Sequence, residues 1–135
     1  MTTIASDAQA DIGLTREGVP GIEATLQTIG GKWKILILWH LAVRTSRYGE
    51  LRRQIPGITE KMLIQQLREL EYDGIVARRV YPEVPPRVEY AFTEYGTSLF
   101  PVLCALCGWG TQHRQRLTAG GDRPDAEDYS GVQNG

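Results

Sequence analysis

Lys61, Gln65 and Arg68 stand four and three residues apart, a spacing that gathers them on one face of an α-helix. A glutamine amide can present a paired donor and acceptor to adenine, arginine and lysine can do so to guanine, and both cations neutralise phosphates. Gln65 and Arg68 are therefore the candidate base readers. Thr59 is a good N-cap, and Lys61 follows within the first turn, where free amides and the helix dipole already favour an anion. These two are candidates for backbone contact. Further cations lie on either side: Arg52 and Arg53 in the preceding segment, and Arg78, Arg79 and Arg87 around Pro82-Glu83-Val84-Pro85-Pro86. A guanidinium beside such a loop can clamp a phosphate or enter a narrow minor groove. The alternatives are a solvated helix face for the first group and, for Arg78, Arg79 and Arg87, ion pairing with Glu83 and Glu89 across a hairpin.

Other chemistries find less to work with. Cys104 and Cys107 are the two cysteines; at i, i+3 on a helix they do not fall into disulfide geometry, and packing in the core or at an interface is the expected role. His40 and His113 lack zinc-ligand spacing, no metal or cofactor is expected, and His40 is read as a core residue. No nucleophile–base pair stands out, and Gly30-Gly31-Lys32 lacks the spacing of a phosphate-binding loop, so no catalytic residue is assigned. Trp33, Trp39, Trp109, Tyr48 and Tyr95 could line an aromatic effector pocket, with core packing as the alternative.

The elements that must carry these residues follow from periodicity. Ile22, Leu26 and Ile29 form one helical face that Gly30-Gly31 ends. Lys32 to Ala42 is apolar all round and reads as a buried central helix. A short helix from about Arg47 to Gln54 stops at Pro56-Gly57. Thr59 then caps a helix through Tyr72 whose stripe is Leu63, Leu67 and Leu70, closed by Asp73-Gly74. At 100° per residue, Lys61, Gln65 and Arg68 lie opposite that stripe. The period changes next: Ile75 to Tyr81 and Val88 to Phe92 read as two strands joined by a proline-stiffened loop. Thr93 caps a last helix to about Leu117, with Leu99, Val102, Leu103, Leu106, His113 and Leu117 on one stripe, and Pro101 kinks it or delays its regular start. The fold class is mainly α with a small β-hairpin wing, in the order of a winged helix-turn-helix, whose second helix enters a DNA major groove.

Size and composition agree with one core. The chain has 135 residues, 41% hydrophobic and 23% charged, which fits a single globular domain rather than disorder or a membrane-embedded protein. The net charge of −1 conceals a pattern: −2 over residues 1–17, +4 over 18–117 and −3 over 118–135. Both ends lack sustained apolar periodicity, so 1–17 and 118–135 are expected to be flexible around a domain at 18–117. Asp7 and Asp11 argue against a secretory signal, and a cytoplasmic location with no membrane partner is expected.

Four stretches carry a resemblance to a family. They are Ile29-Gly30-Gly31-Lys32-Trp33-Lys34, Tyr48-Gly49-Glu50-Leu51-Arg52-Arg53, the run from Ile55-Pro56-Gly57-Ile58-Thr59 to Gln66-Leu67-Arg68-Glu69-Leu70, and Val80 to Tyr90 across the prolines. Over nearly all of 19–117 the sequence resembles the HxlR-type winged-helix transcriptional regulators of bacteria. That resemblance implies a homodimer on double-stranded DNA, dimerising through its N-terminal region and long last helix. It also implies a recognition helix at about 59–72 and a wing at 82–87 on the flanking backbone or minor groove. Redox-sensing members carry a cysteine ahead of the first helix, whereas the corresponding run here is Val19-Pro20-Gly21-Ile22-Glu23. Two other readings stay open: a small-molecule-responsive sensor whose aromatic pocket controls DNA binding, and a winged-helix protein-interaction module that does not bind DNA.

Overall fold

The computed structural model describes residues 13–120, so the expected flexibility of residues 1–12 and 121–135 lies outside the described residues. The described chain divides at Gly30-Gly31 into two units. The first holds a 3-10 turn at Arg16–Gly18 and helix α1, Val19–Ile29. Pro20 sits in the first turn of α1, where its missing N–H costs nothing. The helix therefore begins earlier than its apolar periodicity at Ile22 suggests.

The second unit runs α2 (Lys34–Val43), β1 (Ser46–Arg47), α3 (Tyr48–Gln54), α4 (Glu60–Tyr72), β2 (Val76–Tyr81), β3 (Arg87–Phe92) and α5 (Phe100–Gly120). The fold class is mainly helical with a small antiparallel sheet, in the winged-helix order. The sheet has three strands in the order β1-β3-β2 rather than a two-stranded hairpin. Register runs from Val76 opposite Phe92 to Tyr81 opposite Arg87, and Ser46 and Arg47 face Tyr90 and Glu89. The added strand β1 gives β3 a partner on both edges, which an isolated hairpin lacks.

The core joins Ile37, Leu38 and Leu41 of α2, Leu51 of α3, Leu63, Leu67 and Leu70 of α4, and Val76, Tyr90 and Ala91 of the sheet. Ile55 and Ile58 bury on either side of the turn between α3 and α4. Gly57 in that turn has φ +87°, a backbone conformation only glycine adopts without strain. At the far end of α4 the amides of Gly74 and Ile75 donate to Glu71 and Leu70 carbonyls at 3.0 Å each, with Gly74 at φ +74°. This is a Schellman closure, and it delivers the chain directly into β2.

Three sequence expectations change. Helix α2 is not buried all round: Leu36, Trp39 and Val43 are exposed and His40 is half-buried, because a ten-residue helix packs its Ile37-Leu38-Leu41 side and leaves the other apolar side uncovered. The delayed start expected at Pro101 is present: the last helix is regular only from Phe100, after a 3-10 turn at Tyr95–Leu99 whose Gly96 amide donates to Thr93 Oγ1 at 2.9 Å. Of its expected stripe only Leu103 is buried, while Val102 and Leu106 are exposed and Leu99, His113 and Leu117 are half-buried. Cys104 and Cys107 are also exposed, so neither is a core residue.

Candidate nucleic-acid interface

Helix α4 begins at a cap the sequence announces: Thr59 Oγ1 accepts from the Met62 amide at 3.1 Å, an interaction worth about 1 kcal/mol. Glu60 in the first turn complements the helix dipole. A second constraint comes from α3, where the Tyr48 hydroxyl donates to the Glu60 carbonyl at 3.4 Å. Burial pushes the Tyr48 phenol above its ordinary value, and the Glu60 carboxylate adds to the shift. Helix α3 is fixed in turn by Glu50, which accepts from the Arg47 amide at 2.8 Å and pairs with Arg44. The Arg47 amide, then Arg44, holds the Glu50 carboxyl below the usual carboxylate range.

With Leu63, Leu67 and Leu70 locked inward, the opposite face of α4 presents Lys61, Gln65 and Arg68 to solvent. An open trough along it is lined by Thr59, Glu60, Lys61, Ile64, Gln65, Arg68 and Glu69. A second cleft between α4 and the hairpin is lined by Tyr48, Glu60, Ile64, Arg68, Glu71, Arg78, Val88 and Tyr90. Arg68 borders both, and neither Arg68 nor Lys61 forms an ion pair among the described residues. The structure thus brings Thr59, Lys61, Gln65 and Arg68 together as the spacing predicts.

The remaining sequence candidates are placed differently. Arg52 and Arg53 are exposed on α3, and Arg52 lies 3.8 Å from Glu60. Arg87 stands at the base of the wing with its guanidinium 4.0 Å from the centre of the Tyr81 ring, 3.3 Å from Glu83 and 3.8 Å from Glu89. These are the intramolecular partners foreseen as its alternative role. Arg78 and Arg79 are exposed on β2 and, unlike Arg87, form no ion pair with Glu83 or Glu89. Of the five aromatic residues weighed for an effector pocket, Trp39, Tyr95 and Trp109 are exposed.

One ion pair beneath the exposed face of α4 does not follow from the sequence pattern. Lys34, buried on α2, places Nζ 2.6 Å from Glu69 Oε1, and Glu69 Oε2 accepts from Gln65 Nε2 at 3.2 Å. The signal was present as a cation flanked by Trp33, Ile35 and Ile37 near the start of an apolar helix. The Lys34 ammonium, then the Gln65 amide, holds the Glu69 carboxyl below its ordinary value of 4.5. A carboxyl with a depressed folded-state pKa contributes stability above its unfolded value and loses it as pH falls through the folded one. Glu69→Gln is therefore expected to be less stable than the parent at neutral pH, with the gap narrowing as pH drops below about 4.5. Urea unfolding at a series of pH values checks this; a gap independent of pH would remove the ion pair as its cause.

The helix-turn-helix with its hairpin defines a class, the winged-helix DNA-binding transcriptional regulators. Within it, residues 28–118 match the family model described as HxlR-like helix-turn-helix, and the chain belongs to that family. It is similar to the HTH-type transcriptional regulator YtcD of Bacillus subtilis (strain 168), 56% identical over 96 residues, covering 71% of this chain and 76% of that one. A crystal structure of an HTH-type transcriptional regulator named ytcD superposes with TM-score 0.68 at 56% identity, over 70% of this chain and 97% of that one. The redox regulator HypR in its reduced form superposes with TM-score 0.69 at 47% identity, over 73% and 98%. Among the described residues no helix is long and apolar enough to cross a membrane.

Proposed function

We propose that this protein acts as a cytoplasmic homodimer on a pseudo-palindromic operator, its functional domain being 18–117, with α4 of each protomer in successive major grooves. The observation that carries this reading is the exposed face of Thr59, Lys61, Gln65 and Arg68 on a helix anchored by three buried leucines. Gln65 and Arg68 read bases; Thr59 and Lys61 hold phosphate at the helix N-terminus, and Arg52 and Arg53 meet the backbone that α3 crosses. The wing at 82–87 meets the flanking backbone or minor groove through Arg87, with Arg78 and Arg79 beside it. Any Arg87 contact has to compete with Glu83 and Glu89.

Dimerisation is supported by apolar surface of a kind that water disfavours. Val19, Ile22 and Leu26 are exposed on α1, and Phe100, Val102, Leu106 and Trp109 on α5. Burying one such side chain is worth about 1.5–3 kcal/mol. A two-fold dimer places its half-sites about 10 bp apart or a small multiple of that.

The test is binding of the purified protein to fragments of its own upstream intergenic DNA, titrated with salt and non-specific competitor. If the dimer neutralises roughly 6–10 phosphates, affinity for the specific fragment falls about 10³- to 10⁵-fold between 50 and 200 mM salt. Failure to bind any fragment at low salt would sink the operator reading and favour a protein-interaction module.

A further inference from the structure

A lysine taken out of water is unfavourable unless a partner meets it, and the partner's geometry then becomes fixed. The Lys34 side chain is 8% exposed while that of Glu69 is 45% exposed, so the pair runs from the core to the surface. At its outer end stands the Gln65 amide, held by the second oxygen of the same carboxylate. We propose that Lys34 and Glu69 are positioning residues for base recognition, orienting the Gln65 amide toward an A·T pair. This rests on the reading of α4 as the base-reading helix.

The chemistry supports that role at each link. A carboxylate only accepts, so it selects the NH₂ side of the amide and removes the ambiguity of a free glutamine rotor. One N–H is spent on Glu69, which leaves the second N–H and the carbonyl oxygen. That donor and acceptor are what adenine N7 and N6–H₂ require. Lys34 performs two tasks: it keeps the half-exposed Glu69 from swinging into solvent, and it neutralises a negative charge that would otherwise face DNA phosphates.

The experiment is selection of binding sites from a randomised duplex pool by the full-length protein, followed by affinities for every single-base-pair variant of the selected site. Wild type is expected to prefer A·T at one position per half-site, and Gln65→Ala to lose that preference. Glu69→Gln is expected to weaken discrimination there about tenfold, with other positions unchanged, and combining it with Gln65→Ala should add nothing further at that position. Because Lys34→Met alone frees the half-exposed Glu69 to face DNA phosphates without its counter-charge, the double variant Lys34→Met/Glu69→Met removes both charges together. It is checked for folding by thermal unfolding and should show the same local loss. Glu69 variants that keep full discrimination at the Gln65 position, or that lower affinity evenly at all positions, would overturn the positioning role while leaving base reading intact. A wild-type protein that selects no sequence, or a Gln65→Ala variant with unchanged preferences, would overturn base reading itself and this inference with it.

Discussion

Arg68→Ala is expected to reduce operator affinity about 30- to 20,000-fold, the equivalent of about 2–6 kcal/mol for the two bidentate base contacts the homodimer loses, one in each half-site, while affinity for scrambled duplex falls much less. The difference follows from position. Arg68 is exposed directly after buried Leu67, borders both the trough along α4 and the cleft toward the hairpin, and has no carboxylate partner among the described residues. Its guanidinium is therefore presented by a rigid segment and is free to pair with a base edge. Lys61→Ala should behave in the opposite sense, weakening all sequences together and lowering the salt slope by about two, as loss of one phosphate contact from each protomer does. Stability should stay within about 0.5 kcal/mol of the parent for Arg68→Ala, since an exposed side chain without partners is removed. Both duplexes must be titrated at one salt concentration. Equal losses on operator and scrambled DNA would make Arg68 a phosphate clamp and leave Gln65 as the reader.

How far the interface was legible depends on whether its determinants are local. The bounds of α4 were readable because Thr59, the Leu63-Leu67-Leu70 stripe and Asp73-Gly74 each act within a few residues, and the reading face follows from helical geometry alone. Strand β1 was not readable, since two residues cannot display an alternating pattern and Ser46 buries only because β3 pairs beside it. Apolar residues on α2 and α5 announce that something covers them but not whether it belongs to the same chain. Leu36 and Leu106 were assigned inward and are exposed. Lys34 and Glu69 meet from different helices, so no spacing rule could join them. For Arg87 the sequence supplied both a DNA phosphate and the Glu83-Glu89 pair as partners, and only the register of Tyr81 opposite Arg87 shows how near the intramolecular ones stand.

The same limit hides a position where a very small substitution should damage the fold. At an exposed helical site, glycine to alanine stabilises by up to about 1 kcal/mol; Gly96→Ala is expected to destabilise by about 3 kcal/mol. Gly96 is buried in the 3-10 turn, and a Cβ there would stand 2.1 Å from the Ile75 carbonyl oxygen and 3.0 Å from Phe92 Cδ1. The obstacle is backbone, which cannot rotate aside as a side chain could. Nor can the turn retreat. The Thr93 hydroxyl accepts from the Gly96 amide at 2.9 Å and donates to the Gly74 carbonyl at 2.5 Å, while the Thr93 amide donates to Ile75 at 3.0 Å. Making room therefore means breaking bonds that tie the start of β2 to the entry of α5, and overpacking against such a constraint falls at the upper end of the usual 1–3 kcal/mol. For a domain of roughly 100 residues this corresponds to a melting temperature lower by about 10 °C or more, read by circular dichroism. A variant as stable as the parent would show that the junction between wing and α5 opens without cost. A destabilised one would make that junction the fixed point from which the last helix, and the partner surface proposed on it, takes its direction.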